Sequence, residues 1–219
     1  MNELLFGIHL LSLLGMMTLI SVFRVQLLEA VFIFCCVAAN VFVLKQINLF
    51  GLQVTAADVY SVGAMLSVNL LQEFSPKSSI NNLIQMGFIV MLLFAVNSWF
   101  HLLYVPGLHD YSQEAYQMLF HHTPRLVIVS MVCFLFSTWV EASLFKRLSA
   151  TSLPFYCRAM VSMMVGQTLD TGLFTVLALY NILDSLLTIF FFSLSIKFLT
   201  IAASTPALSL MKRLRIRYV

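Results

Sequence analysis

The chain has 219 residues, 61% of them apolar and only 10% charged, with a net charge of +3 and a mean hydropathy of +0.96. A soluble domain carries roughly 25% charged residues, and one of this size has too little interior to hide so much apolar surface. The composition therefore excludes a soluble fold and makes lipid the solvent.

In lipid, backbone N–H and C=O groups must pair within the spanning structure, which leaves helices or closed barrels. The apolar runs here are long and do not alternate, so the fold is read as an all-α integral membrane protein. Spans are predicted over 3–23, 26–45, 57–73, 81–101, 124–146, 159–180 and 184–203. The first has no basic leader region and no cleavage site, so it is read as a retained helix rather than a signal peptide. Asn48 to Gly51 is a turn signal between the second and third spans, and Ser75 to Ser79 separates the third and fourth. The longest connection, 102–122, holds Pro106, Gly107, Asp110, Glu114 and three histidines, and 148–157 is a short loop with Pro154. The organisation is read as an additional N-terminal helix (1–24), a six-helix core (25–205) and a basic cytoplasmic tail (206–219).

The basic residues orient the chain. With the C-terminus inside, Arg24, Lys77, Lys146, Arg147, Arg158, Lys212, Arg213, Arg215 and Arg217 all fall on the cytoplasmic side. Lys45 and Arg125 lie at outer ends, and Lys197 lies within the last span, where it snorkels or lines a cavity. The expected orientation is N-out, C-in. The terminal cluster reads as an anchor at anionic lipid headgroups, not as a nucleic-acid site. Cys35, Cys36, Cys133 and Cys157 lack C-x-x-C spacing and read as small buried hydrophobes, neither disulfides nor metal ligands.

Charged and amide side chains inside a membrane helix cost several kcal/mol unless they face a cavity or a partner. Asn40, Lys45, Asp58, Asn69, Gln72, Glu73, Glu141, Gln167 and Asp170 are therefore the functional candidates. The plainer alternative for Lys45, Asp58, Glu73 and Glu141 is solvation near an interface. For Asn40 and Asn69 it is an interhelical hydrogen bond. Gln167 and Asp170 lie deepest in an apolar run, where the plainer alternative is weakest. Two spans share a pattern: Thr138, Glu141 and Phe145 in one, Gln167, Asp170 and Phe174 in the other. The i, i+3, i+7 spacing puts each set on one helix face, and the opposed helix directions hint at an inverted repeat around one site.

Four segments taken together resemble the queuosine precursor transporter family, also called the vitamin uptake transporter family, over roughly residues 38–203. Asn40 through Lys45 to Phe50-Gly51 is similar to an N-x-x-x-x-K…F-G pattern. Asn69-Leu70-Leu71-Gln72-Glu73-Phe74-Ser75-Pro76-Lys77 is similar to D-x-x-N-E-x-Y-G-K. Pro124-Arg125 opens the block that leads to Glu141. Gln167-Thr168-Leu169-Asp170-Thr171 with Phe174 is similar to Q-x-x-D-T-x-x-F. The chain departs from the pattern in carrying Asn69 for an acid, Gln72 for another amide, Ser75-Pro76 for Tyr-Gly, and Thr138 where Gln is common. The first helix is additional to the six-helix core.

The resemblance implies an inner-membrane importer of a 7-deazaguanine base (queuine, or its 7-cyano or 7-aminomethyl precursors) for tRNA modification. It also implies a fold like the substrate-binding subunits of energy-coupling-factor transporters. On this reading Asp170 or Glu73 takes the N1/N2 donor edge, Asn40, Asn69 and Gln167 supply amides, and Trp139 or Phe174 stacks on the ring. Glu141 joins the substrate set. Lys45 and Arg125 serve structure or substrate, with Arg125 pairing Glu141 or Glu73. No nucleotide-binding motif is present, so the chain does not itself hydrolyse ATP. A stand-alone carrier without a cofactor is expected, with a separate ATPase partner and homo-oligomerisation left open. The rivals are a carrier of another nucleobase or vitamin, a membrane-embedded enzyme and a scaffold protein. His101, His109, His121 and His122 with Asp110 and Glu114 are the only metal-ligand candidates, and they lack metal-ligand spacing.

Overall fold

The computed structural model describes residues 1–43, 45–75, 79–120, 124–179 and 186–218. The helices are α1 (Asn2–Phe23), α2 (Leu28–Phe42), α3 (Asp58–Phe74), α4 (Ile80–Leu103), α5 (Gln113–Phe120), α6 (Pro124–Leu148), α7 (Phe155–Leu179) and α8 (Leu186–Tyr218). A 3-10 turn, Val25–Leu27, joins α1 to α2. Six segments of the described residues are long and apolar enough to cross a bilayer: Asn2–Phe23, Val25–Phe42, Ile80–Leu103, Ile128–Leu148, Phe155–Leu177 and Phe190–Leu214. Their outer faces carry exposed Leu4, Leu11, Leu19, Ile89, Leu93, Val132 and Phe192, the pattern of a lipid-facing surface.

The remaining long helix, α3, is the axis of the molecule. Its 17 residues span about 25 Å at 1.5 Å per residue, short of the roughly 30 Å hydrocarbon core. It packs against α1, α2, α6, α7 and α8. Its buried residues run unbroken from Ser61 to Leu71. An ordinary surface helix buries one stripe; this one is encased. Close approach is made by Gly63, where an added Cβ would lie 2.7 Å from Leu13 Cδ2 on α1. Small residues at such crossings let membrane helices pack backbone to backbone.

Three expectations are corrected. The span expected over 26–45 ends as a helix at Phe42. It is followed by a short antiparallel hairpin, β1 (Gln46–Leu49) and β2 (Leu52–Thr55), within an otherwise helical membrane fold. The turn signal was in place, since Phe50 (φ 51°) and Gly51 (φ 78°) are the two positive-φ residues that a type I′ hairpin requires, but four-residue strands are too short to show an alternating pattern. Second, the 102–122 connection contains α5, none of whose side chains is buried. Third, the expected tail continues α8 to Tyr218 with Pro206 inside the helix, and Lys212 on it reaches back to the bundle.

The hairpin is fixed at both sides. Leu49 and Val54 pack with Ile196 of α8. Asn2 Nδ2 donates to the Asn48 carbonyl (3.1 Å), and the Phe50 amide donates to Glu3 Oε1 (3.1 Å). A Cβ at Gly51 would meet nothing within 4 Å, so Gly51→Ala costs only its positive φ. Thermal unfolding in detergent is expected to show a loss of about 1–2 kcal/mol. A loss above that range would mean the turn has packing partners.

Candidate functional site

Polar side chains follow α3 from one end to the other, and α7 faces them with a matching row. Arg158, Ser162, Gly166 and Asp170 recur every fourth residue, which keeps them near one face of α7. The row sorts into three layers along α3.

The middle layer lies at Asn69. Asn69, Glu141, Ser162 and Gln167 are each fully buried. Ser162 Oγ donates to Glu141 Oε1 (3.0 Å), and Asn69 Nδ2 donates weakly to Ser162 Oγ (3.5 Å). Gln167 Nε2 reaches only the sulfur of Met65 (3.3 Å), a poor acceptor. Glu141 Oε2, Asn69 Oδ1, Gln167 Oε1 and Gln72 Nε2 have no hydrogen-bond partner among the described residues. Each such group, buried and unpaired, costs about 1–3 kcal/mol. These open groups make the layer around Asn69 and Glu141 the candidate binding site.

The two helices that carry this layer touch at Gly166. A Cβ there would fall 2.9 Å from Glu141 Cβ and 3.0 Å from its Cγ. Gly166→Ala is therefore expected to displace Glu141 and spread α6 from α7, with a stability loss of about 1–3 kcal/mol and loss of ligand binding. Binding retained at wild-type affinity would show that the position of Glu141 is immaterial.

The layer at the C-terminal end of α3, inner on the expected N-out, C-in orientation, is Glu73. Its Oε2 accepts from Arg158 Nη2 (2.9 Å) and its Oε1 from Lys212 Nζ (2.7 Å). Arg158 also donates to Ser149 Oγ (2.8 Å) and lies over the Phe145 ring at 5.4 Å. One carboxylate thus ties α3, α7 and α8 together. The layer at the N-terminal end of α3, outer on the expected N-out, C-in orientation, is Asp58, Asp170 and Lys197. Lys197 Nζ donates to Asp170 Oδ2 and to Thr171 Oγ1, both at 3.1 Å. Asp58 is 1% exposed, and neither of its carboxyl oxygens has a partner among the described residues.

The structure thus gathers Asn69, Glu141 and Gln167, and separates the other expected members. Glu73 and Asp170 each have a cation, in different layers. Glu141 and Asp170, expected to frame one site as an inverted repeat, have different partners. Asn40 donates to the Cys36 carbonyl (3.0 Å) and accepts from Ser130 Oγ (3.1 Å), a helix-to-helix bond between α2 and α6. Lys45 is exposed at the start of the hairpin, its carbonyl accepting from the Ala56 amide (2.8 Å). Trp139 is 51% exposed and leans on Phe136, outside the bundle. Phe174 is half-buried. Thr138 is buried and donates to the Phe134 carbonyl (2.7 Å). The Arg125 side chain, Pro76, Lys77, His121 and His122 lie outside the described residues. Sequence reasoning missed Ser162 and Arg158 as partners, although their four-residue spacing to Gly166 and Asp170 was there to be read.

Outside the bundle core, a cavity of about 370 Å³ lies between α4 and α5, walled by Phe94, Ser98, His101, Tyr104, Tyr116 and Phe120. In this loop, hydrogen bonds from the Ser112 hydroxyl (2.6 Å) and amide (2.8 Å) hold the Asp110 carboxyl below the usual carboxylate range. His101 meets the Tyr104 ring at 5.8 Å. No group of three or more potential metal ligands forms among the described residues.

Residues 55–211 match a protein family described as "Putative vitamin uptake transporter". A protein of Bacillus subtilis (strain 168), described as "Probable queuosine precursor transporter", is 29% identical over 178 residues, covering 79% of this chain and 78% of that protein. No solved structure matches. The family match begins inside β2, takes in all three polar layers and ends at Met211, one residue before Lys212.

Proposed function

This chain belongs to the vitamin uptake transporter family, a multi-pass membrane transporter and not an enzyme, and from that premise we propose that it imports a 7-deazaguanine base as a queuosine precursor. The observation that carries the proposal is Glu141, a fully buried carboxylate that accepts from Ser162 at Oε1 while its Oε2 has no hydrogen-bond partner among the described residues. It faces a layer with an excess of acceptors: Glu141 Oε2, Asn69 Oδ1 and Gln167 Oε1 are open, against one open donor, Gln72 Nε2. A 7-deazaguanine has the complementary excess. Its N1–H, exocyclic NH₂ and pyrrole N–H are donors, and O6 is an acceptor. Glu141 takes the N1–H/NH₂ edge, Asn69 and Gln167 take the remaining N–H groups, and Gln72 donates to O6. The role expected of Asp170 or Glu73 thus passes to Glu141, because a carboxylate already bound to a lysine or arginine has less to offer a neutral base.

The layer is closed to solvent, so entry and exit need the helices to part. Seven crossings are part of the proposal, with α3 as the seventh, N-out and C-in. Supporting that orientation, Lys146, Arg147, Arg158, Lys212 and Arg213 all sit at the helix ends placed inside. The protein works without an ATPase subunit. The test is uptake of labelled queuine, 7-cyano- and 7-aminomethyl-7-deazaguanine in cells lacking their own synthesis and import. Queuosine in tRNA only when this protein is present is the expected result. No uptake of any of the three, with the protein verified in the membrane, would overturn the substrate class.

A further inference from the structure

The outer layer contains more negative charge than its lysine can neutralise. Asp170 is satisfied by Lys197 at 3.1 Å. Asp58 is 1% exposed, with both oxygens unpartnered among the described residues, and its electrostatic neighbours are Lys197 and Asp170. With both acids ionised the layer carries one net negative charge inside the bundle; with Asp58 protonated it is neutral. Burial in a membrane favours the neutral form. Two features favour the anion: the ammonium of Lys197 and the first turn of α3, where Asp58 sits at the positive end of the helix dipole. Opposed influences of this kind suit a group that must take up a proton on one side and give it up on the other.

The other ionisable groups around α3 are engaged elsewhere. On α1, Glu3 serves the Phe50 amide and the terminal amine, and His9 stacks edge-on to Tyr60 at 5.0 Å. On α6, Glu141 accepts from Ser162, and the α3 residue Glu73 is held by Arg158 of α7 and Lys212 of α8. The buried thiols Cys35, Cys36 and Cys133 add no cation. Asp58 is also eleven residues from Asn69 along α3, about 16 Å, so the outer layer is separate from the layer assigned to the base.

We propose that Asp58, set against Lys197 and Asp170, is the proton-binding group that couples import to the proton gradient. It rests on the transport reading above. One proton binds the Asp58 carboxylate from the outside, crosses with the base and is released inside, so that the layer is neutral while the helices rearrange. Binding of Lys197 to Asp170 keeps the lysine from neutralising Asp58 permanently.

The experiment uses purified full-length protein in liposomes with labelled 7-cyano-7-deazaguanine. The wild-type protein is expected to accumulate the base under an inward proton gradient, to lose accumulation with an uncoupler, and to ignore a sodium gradient. Asp58→Asn is expected to retain base-for-base exchange while net accumulation falls to parity across the membrane. A pH-sensitive dye should register proton entry when base is added to wild-type liposomes, a readout that does not depend on any variant folding. Accumulation driven by sodium, or no proton movement accompanying base entry, overturns the coupling while leaving the carrier intact. Gradient-driven accumulation by Asp58→Asn overturns the assignment to Asp58. Absence of base exchange in the wild-type protein would instead sink the transport reading, and the coupling with it.

Discussion

Glu141→Gln is expected to weaken binding of the base by roughly 10- to 100-fold, the worth of one or two hydrogen bonds to a charged acceptor, about 1.5–3 kcal/mol. The replacement has the same shape. It keeps an oxygen for Ser162 Oγ, which donates to Glu141 Oε1 at 3.0 Å, so the fold should be undisturbed. What changes is the second position. Glu141 Oε2, now open, becomes an NH₂ that meets the N1–H/NH₂ donor edge head-on, and two donors face each other in a buried place. The measurement is the concentration dependence of uptake, or ligand-induced thermal stabilisation in detergent, at matched membrane abundance. An unchanged affinity would show that the base does not sit on Glu141.

Glu73→Gln is expected to have the largest effect on stability, a loss of about 3 kcal/mol. Arg158 and Glu73 side chains are only 11% and 14% exposed. Taking away the carboxylate leaves a guanidinium in a protein interior with Ser149 and the Phe145 ring as its remaining partners. Lys212 is 42% exposed and can turn to solvent, so Lys212→Gln should cost under about 1 kcal/mol. The double variant Glu73→Gln with Arg158→Gln should recover part of the loss, since it removes the stranded charge. Thermal unfolding of the single and double variants in detergent decides the matter. Additive losses would mean that the pair is not coupled.

Much of the fold was legible because lipid imposes blunt rules. Long apolar runs marked the helices. The polar face of α3 was also latent in its sequence: at 3.6 residues per turn Asp58, Asn69, Gln72 and Glu73 fall within about 100° of one face. The hairpin was not legible beyond its turn, because its register depends on what α1 and α8 present to it. At the site, sequence reasoning selected residues by type and depth. It could not tell a carboxylate with a cation from one without, since that depends on partners 85 to 139 residues away, as Glu73 with Arg158 and Lys212 illustrates. Asp170, the acid deepest in its run, proved to be paired. Glu141 and Asp58, which could equally have been solvated at an interface, proved to be buried with no ion pair among the described residues.

The encased position of α3 has a consequence for how the protein is made. At 17 residues and with Asp58, Asn69, Gln72 and Glu73 on it, α3 is not among the described segments long and apolar enough to cross a bilayer by themselves. α2, which is continuous in sequence and extensively packed on α3, has no charged residue between Glu29 and its end at Phe42. The Phe50-Gly51 turn reverses the chain between them within a few residues. If α3 is the seventh crossing proposed above, the two helices would enter the membrane together as one folded-back unit, with α2 supplying the hydrophobicity that α3 lacks. Glu73 would then meet its cations, Arg158 and Lys212, only when α7 and α8, later in the chain, are made. Until then the bundle would hold the Glu73 carboxylate without its cations.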